Sequence, residues 1–290
     1  MKHRTMSVAI AACVAATALS GIVALPEATA SAPAVTKVLT FMEENHSLSE
    51  MQTQMPYLNG LSKQYAYANH YRGITYPSEP NYLAIAGGST FGDTADHNPA
   101  YQVAGASIFG QTTSSASYVE GMTSNCQQAS DRSNLYAVKH NPWASFTDER
   151  TTCNARDVPV SRLLSDVRAG TLPSVGMVIP NMCHDAHDCP PGAADNWLKM
   201  YLPAIMAGPD FTSGRLAVVV TADTDDRSAG NVVLTTVLQK NLNGTHKVVG
   251  TALNHYSLTR LYGQADCRPP LRSAAAAANM AAAFGLPTPC

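Results

Sequence analysis

Two groups of oxygen-bearing side chains stand far apart in this 290-residue chain: Glu44 and Asn45, followed by His46, and Asp223, followed after Thr224 by Asp225 and Asp226. Carboxylates and an amide oxygen suit a hard divalent cation such as Ca²⁺, Mg²⁺ or Mn²⁺. Between them, Ser78 lies in the turn Pro77-Ser78-Glu79-Pro80-Asn81. A hydroxyl at a helix N-terminus feels the positive end of the dipole, and the free N–H groups there welcome a phosphate. A cation touching that hydroxyl makes it a usable nucleophile near neutral pH. His140, His187 and His255, the second with Asp185 and Asp188 beside it, supply groups that bind an anion or protonate a leaving oxygen. The reaction this set of residues implies is phosphoryl transfer to serine and then to water. Each member also has a plainer reading. On spacing alone, Ser78 is first of all a helix cap. Glu44 reads equally as a solvated loop acid, Asp223 to Asp226 as a polar turn, His140 as a turn histidine beside Asn141-Pro142, and His184 to Asp188 as a tight surface loop. His97 and His246 read as surface residues.

Both acidic groups follow apolar runs. Val35 to Met42 is β-branched and apolar and predicts a buried strand ending at Glu43, and Leu216 to Thr221 predicts another ending just before Asp223. Helical spacing covers Pro56 to Tyr65, Glu79 to Ala86, Val160 to Ala169 and Asp195 to Met206, with a short strand at Ser174 to Ile179. A late strand at Asn231 to Gln239 and a closing helix at Arg272 to Phe284 complete the pattern. Continuous apolar strands alternating with helices predict a three-layer α/β/α sandwich around a mainly parallel sheet. Ligands of such folds bind beyond the carboxyl ends of the strands, so the two acidic groups are expected to converge.

The chain opens with Lys2, His3 and Arg4 and an almost uncharged run from Met6 to Leu25, and Ala28 and Ala30 frame a cleavage site. Residues 1–30 thus read as a signal peptide and 31–290 as a single exported domain, without stable membrane insertion. Lys and Arg together number 19 against 21 Asp and Glu, with no basic run, which argues against nucleic acid as a partner. Setting aside Cys13 in the leader, six cysteines remain. An even number in an exported chain reads as disulfides, and local order pairs Cys126 with Cys153, Cys183 with Cys189, and Cys267 with Cys290. The competing reading is a zinc site from Cys183, His184, His187 and Cys189.

Several motifs in order resemble a known family: E-N-H-S at Glu44 to Ser47, P-S-x-P-N-Y at Pro77 to Tyr82, G-S-T at Gly88 to Thr90, K-H-N-P at Lys139 to Pro142, P-N-x-C-x-D-x-H-D-C at Pro180 to Cys189, and H-Y-S-L at His255 to Leu258. Together they are similar to the phosphoesterases that include bacterial acid phosphatases and non-haemolytic phospholipases C, a branch of the alkaline-phosphatase-like superfamily. The resemblance implies a divalent metal held by Glu44, Asn45 and Asp223, with Ser78 as the nucleophile touching it. It also implies His187 as the histidine at phosphate or leaving group, with Asp188 beside it and His140 and His255 as further pocket histidines. Such relatives place two adjacent acids after the late strand, whereas Thr224 follows Asp223 here, and Asp225 is the acid next available as a metal ligand. Tyr76 stands where relatives often carry histidine. The expected activity is an exported phosphomonoesterase of acid-phosphatase type acting on a small phosphorylated substrate. Its alternatives are a phospholipase C-like phosphodiesterase and a non-catalytic secreted binding protein.

Overall fold

The computed structural model describes residues 32–290 and, before them, residues 1–3, 5 and 9. Apart from those five residues, the expected signal peptide lies outside the described residues, as do its cleavage site and Cys13. Ala32 to Cys290 form one unit built on a nine-stranded sheet. The strands are β1 (Lys37–Glu43), β2 (Ala66–Arg72), β3 (Ser115–Val119), β4 (Asp157–Pro159), β5 (Val175–Ile179), β6 (Leu216–Ala222), β7 (Val232–Leu238), β8 (Lys247–Val249) and β9 (Leu253–Asn254). Their order is β4-β3-β5-β1-β6-β7-β2-β8, with β9 beside β2. The sheet is parallel except where β7 runs antiparallel to both β6 and β2. This late strand was legible in the sequence, but its direction was not.

Every residue of β6 is buried, as are all but the first of β1, which explains their uninterrupted apolar character. Neighbouring residues of a strand face opposite sides of its sheet. On one side of β1, Phe41 meets Trp197 of the helix Pro191–Ala207 edge to face at 6.0 Å. On the other, Thr40 accepts a hydrogen bond of 2.6 Å from Tyr262 of the helix His255–Ala265. Helices therefore cover both faces and the fold is an α/β/α sandwich. Asp195 ties two helices on the Trp197 side together, accepting the backbone N–H groups of Tyr57 and Leu58 at the start of the helix Pro56–Gln64.

The closing segment differs from expectation. It holds a short 3₁₀ turn, Arg272–Ala275, and a separate helix, Met280–Phe284, because Asn279 leaves the helical conformation and caps the second piece by accepting the Ala282 N–H. All three cysteine pairs expected from local order are disulfides: Cys126–Cys153, Cys183–Cys189 and Cys267–Cys290. With Cys183 and Cys189 joined, the zinc reading of that loop has lost its two thiolates. Among the described residues no helix is long and apolar enough to cross a membrane.

Candidate active site

The parallel pairing of β1 with β6 sets Glu43 opposite Ala222, so both chains leave the sheet at one level. Backbone hydrogen bonds carry the alignment past the strand ends. Asp223 N–H donates to the Glu43 carbonyl (3.1 Å), and Glu44 N–H donates to the carbonyl of Asp185, beyond β5 (2.8 Å). Asn45 then turns the chain with φ of 52°, a left-handed conformation that asparagine tolerates, and its N–H donates to Asp223 Oδ1 (3.2 Å). Gly73 passes so close that a Cβ there would lie 2.6 Å from the Asp223 carbonyl oxygen. Only glycine lets this neighbouring chain through.

Ser78 stands at the N-terminus of the helix Glu79–Gly87, but its side chain makes no cap hydrogen bond. Its Oγ donates to Glu44 Oε2 instead (3.1 Å). The plainer reading of this serine therefore fails on geometry. Asn81 explains its place in the motif: Oδ1 accepts the N–H groups of Ile74 and Thr75, while Nδ2 donates to the carbonyls of Thr75 and Pro77, which shapes the turn that presents Ser78. The expectation that the first helical amides are free for phosphate is corrected here. Glu79 N–H donates to Asp96 Oδ1 (3.0 Å), and Pro80 has no N–H.

The buried floor is rich in anionic oxygen. Glu44 Oε2 also accepts from Asn45 Nδ2 (2.8 Å), and Thr224 Oγ1 donates to Asn45 Oδ1 (2.8 Å). Asp223 Oδ2 is buried with no hydrogen-bond partner. Burial, with Glu44 nearby, pushes the Asp223 carboxyl well above its usual range. Two fully buried carboxylates, one with an orphaned oxygen, beside an amide and a hydroxyl form a donor set that fits a hard divalent cation.

The predicted histidines divide into three kinds. His140 is buried between Glu44 Oε1 (2.9 Å) and Asp185 Oδ2 (3.2 Å) and stacks on Tyr82, ring centroids 5.0 Å apart. Burial works against its charge, but the two carboxylates raise its pKa overall, and His140 in turn holds Glu44 below the usual carboxylate range against the effect of burial. His255 is also buried. It lies 2.6 Å from the carbonyl of Asp223 and 3.1 Å from the Tyr71 hydroxyl, and burial pushes it down to about 4. Both therefore contact the residues that follow the strand ends, His140 through the Glu44 carboxylate and His255 through the Asp223 carbonyl. His187 alone reaches the open cavity, with its Nδ1 2.7 Å from Asp188 Oδ1 and its N–H donating to Asp185 Oδ1. The Cys183–Cys189 bridge closes the loop that carries it.

Asp225 lies apart from Glu44 and Asp223 in its bonding. Its carboxylate accepts the N–H groups of Arg227, Ala229 and Asn231 and the hydroxyl of Tyr76, and it organises the loop after β6. Those donors hold its pKa below the usual value although burial opposes them.

A cavity of about 360 Å³ opens above Ser78, with His187, Lys139 and Arg227 in its walls. Lys139 pairs with Asp96 (2.8 Å), and Arg227 lies over the Tyr76 ring, 4.6 Å from its centroid. The arrangement places an oxygen-rich floor beneath a rim of mixed charge, in which Lys139 and Arg227 stand among Asp96, Asp225 and Asp226. Sequence reasoning did not single out Lys139, Arg227 or Asp96. Lys139 was within reach as the first residue of the K-H-N-P motif. His97, expected at the surface, is paired with Glu79 (2.9 Å) and Asp93 (3.5 Å).

The sandwich has an alkaline-phosphatase-like fold. A protein of the alkaline phosphatase superfamily from Vibrio parahaemolyticus shares the fold with a TM-score of 0.51 at 10% identity, over 79% of this chain and 68% of that one. The Phosphoesterase family profile matches residues 35–258, and the chain belongs to that family, whose members are hydrolases of phosphoric ester bonds. It is 30% identical to a phosphatidylinositol-3-phosphatase of Mycobacterium tuberculosis over 81% of this chain and 80% of that one. It is 29% identical to a phosphate-repressible acid phosphatase of Penicillium chrysogenum over 69% of this chain, and spans 52% of that protein's length.

Proposed function

We propose that the protein is an exported phosphomonoesterase in which Ser78 is the nucleophile, His187 the general acid and base, and Glu44, Asn45 and Asp223 the ligands of a divalent cation. The observation that carries this reading is the aim of Ser78 Oγ at Glu44 Oε2 (3.1 Å) in place of a helix cap, beside the orphaned oxygen of Asp223. The basic leader at Lys2 to Arg4 and the three disulfides support export. Asp225 receives no ligand role, because four donors already occupy its carboxylate.

When bound, the cation supplies positive charge that favours the alkoxide form of Ser78 and offsets the repulsion between Glu44 and Asp223. Lys139 and Arg227, lining the same cavity, hold the non-bridging oxygens of the ester. Ser78 Oγ passes its proton to Glu44 Oε2, bonds to phosphorus while the bond to the alcohol oxygen breaks, and recovers that proton when phosphate leaves. His187, oriented by Asp188 at 2.7 Å, donates a proton to that departing oxygen. Water then attacks the phosphoserine, His187 takes its proton, and inorganic phosphate leaves with Ser78 restored. His140 and His255 keep Glu44 and Asp223 in place without touching the substrate.

The test is Ser78→Ala. Loss of an activated nucleophile lowers kcat by several orders of magnitude. Since Ser78 makes no cap bond, the melting temperature stays within a few degrees of wild type. Acid quenching of the native enzyme during turnover traps phosphate on Ser78. Near-normal turnover by the alanine variant would sink the mechanism.

A further inference from the structure

A second and larger cavity, about 520 Å³, adjoins the first and shares the Lys139–Asp96 ion pair as a common wall. Ser78 lines only the first cavity and Leu135 and Met182 only the second, while His187 of the first bonds Asp188 of the second. Passing from nucleophile through acid to cleft is the direction in which an alcohol displaced from phosphorus must travel. The cleft is also built. Its floor comes from Leu135, Tyr136 and Met182, and the two loops that supply them are joined by the Met182 N–H donating to the Leu135 carbonyl (3.0 Å). The Cys183–Cys189 bridge fixes the second of those loops immediately after Met182. Leu135, 38% exposed and held at φ of 55°, presents an apolar side chain that no packing within the chain demands. Asp96, His97, Arg132 and Lys139 line the same cleft and give it a polar part.

Resting on the phosphoesterase reading above, we infer that this cleft is the leaving-group subsite, and that it selects esters whose alcohol is a ring-sized, hydroxyl-bearing group. A three-carbon polyol would leave the apolar floor wet, whereas a ring covers Leu135 and Met182 with one face and offers hydroxyls to the polar side. Its volume lies in the range that holds an organic ligand, and burial of a non-reacting part of a substrate is a source of transition-state binding.

The test compares glucose 6-phosphate and AMP with glycerol 3-phosphate, all esters of primary alcohols, so leaving-group chemistry is matched. The native enzyme is expected to favour the two ring esters in kcat/KM by about tenfold or more. Leu135→Gly removes the floor at a backbone angle glycine adopts freely, and Ala137→Phe fills the cleft. Each is expected to raise KM for the ring esters about tenfold while changing glycerol 3-phosphate less than about twofold. Equal kcat/KM for all three esters, or equal losses for all three in the variants, would overturn the assignment. Calorimetric binding of AMP and glycerol 3-phosphate to Ser78→Ala separates the two readings. Ordered binding without native turnover defeats the phosphoesterase reading alone, and turnover with unordered binding defeats the cleft alone.

Discussion

Asp223 and Asp225 are two residues apart at the end of one strand, and their surroundings are opposite. Asp223 has one oxygen bonded to the Asn45 N–H and the other buried without a donor. Asp225 has four donors and spends them on its own loop and Tyr76. The first carboxylate is short of positive charge and the second is satisfied. A carboxylate left unsatisfied at a buried strand end is what a cation site requires, and a satisfied one is what a loop requires.

The largest effect expected from this contrast is in Asp223→Asn. Metal affinity falls by about a hundredfold or more and turnover with it, yet in chelator the variant melts no lower than wild type, because a buried carboxylate facing Glu44 has become neutral. Calorimetric metal titration with melting in EDTA checks both halves, and a large loss of stability in EDTA would break the contrast.

Asp157 extends the comparison to an acid away from the site. It too is buried with an orphaned oxygen, the other accepting from Asn141 Nδ2 (2.8 Å), and burial pushes it up to about 7. Its folded pKa exceeds the unfolded value, so between pH 4 and 7 the native state binds the extra proton and stability falls as pH rises, by on the order of 4 kcal/mol at most. Denaturant unfolding across that window shows the slope, and Asp157→Asn flattens it. An unchanged slope in the variant assigns the effect elsewhere.

Asp225→Asn is expected to reverse the Asp223 pattern. Loss of charge-assisted acceptance from the loop amides and Tyr76 costs about 1–3 kcal/mol of stability, while metal affinity shifts by less than about threefold, well inside the range of a lost ligand. A hundredfold loss of metal affinity would restore Asp225 to the ligand set. The smallest effect belongs to the residue between them. Thr224→Glu adds an anionic oxygen where Thr224 now donates to Asn45 Oδ1, and tightens metal binding by about tenfold. Weaker affinity in that variant would show that the threonine hydroxyl is itself part of the arrangement.

The sandwich was legible because β1 and β6 are buried on both faces and carry no polar interruption. Strand β2, with Asn69, His70 and Arg72 facing outward, and the three-residue strands β4 and β8 gave no such signal. Residue type singled out Ser78, Glu44, Asn45 and Asp223, which the structure links by hydrogen bonds, and His187, which lines the same cavity as Ser78. Spacing did not distinguish side chains that open on the cavity from those that do not, so His140 and His255 were grouped with His187, and it did not show that the carboxylate of Asp225, which lines the cavity, is taken up by its own loop and Tyr76. The placement of Lys139 and Arg227 on the cavity rim depends on loops folding back over the strand ends, which no periodicity encodes.

The register of β1 against β6, with Glu43 opposite Ala222, brings Glu44 level with Asp223 although a long stretch of chain separates them in sequence. Surface loops between the strands tolerate insertions, whereas deletion of a single residue inside either strand turns the carboxylate that follows it to the opposite face. The architecture thus separates what evolution is free to lengthen from what it must keep in step. The longer acid phosphatases, of whose length this chain spans about half, are compatible with an unchanged floor.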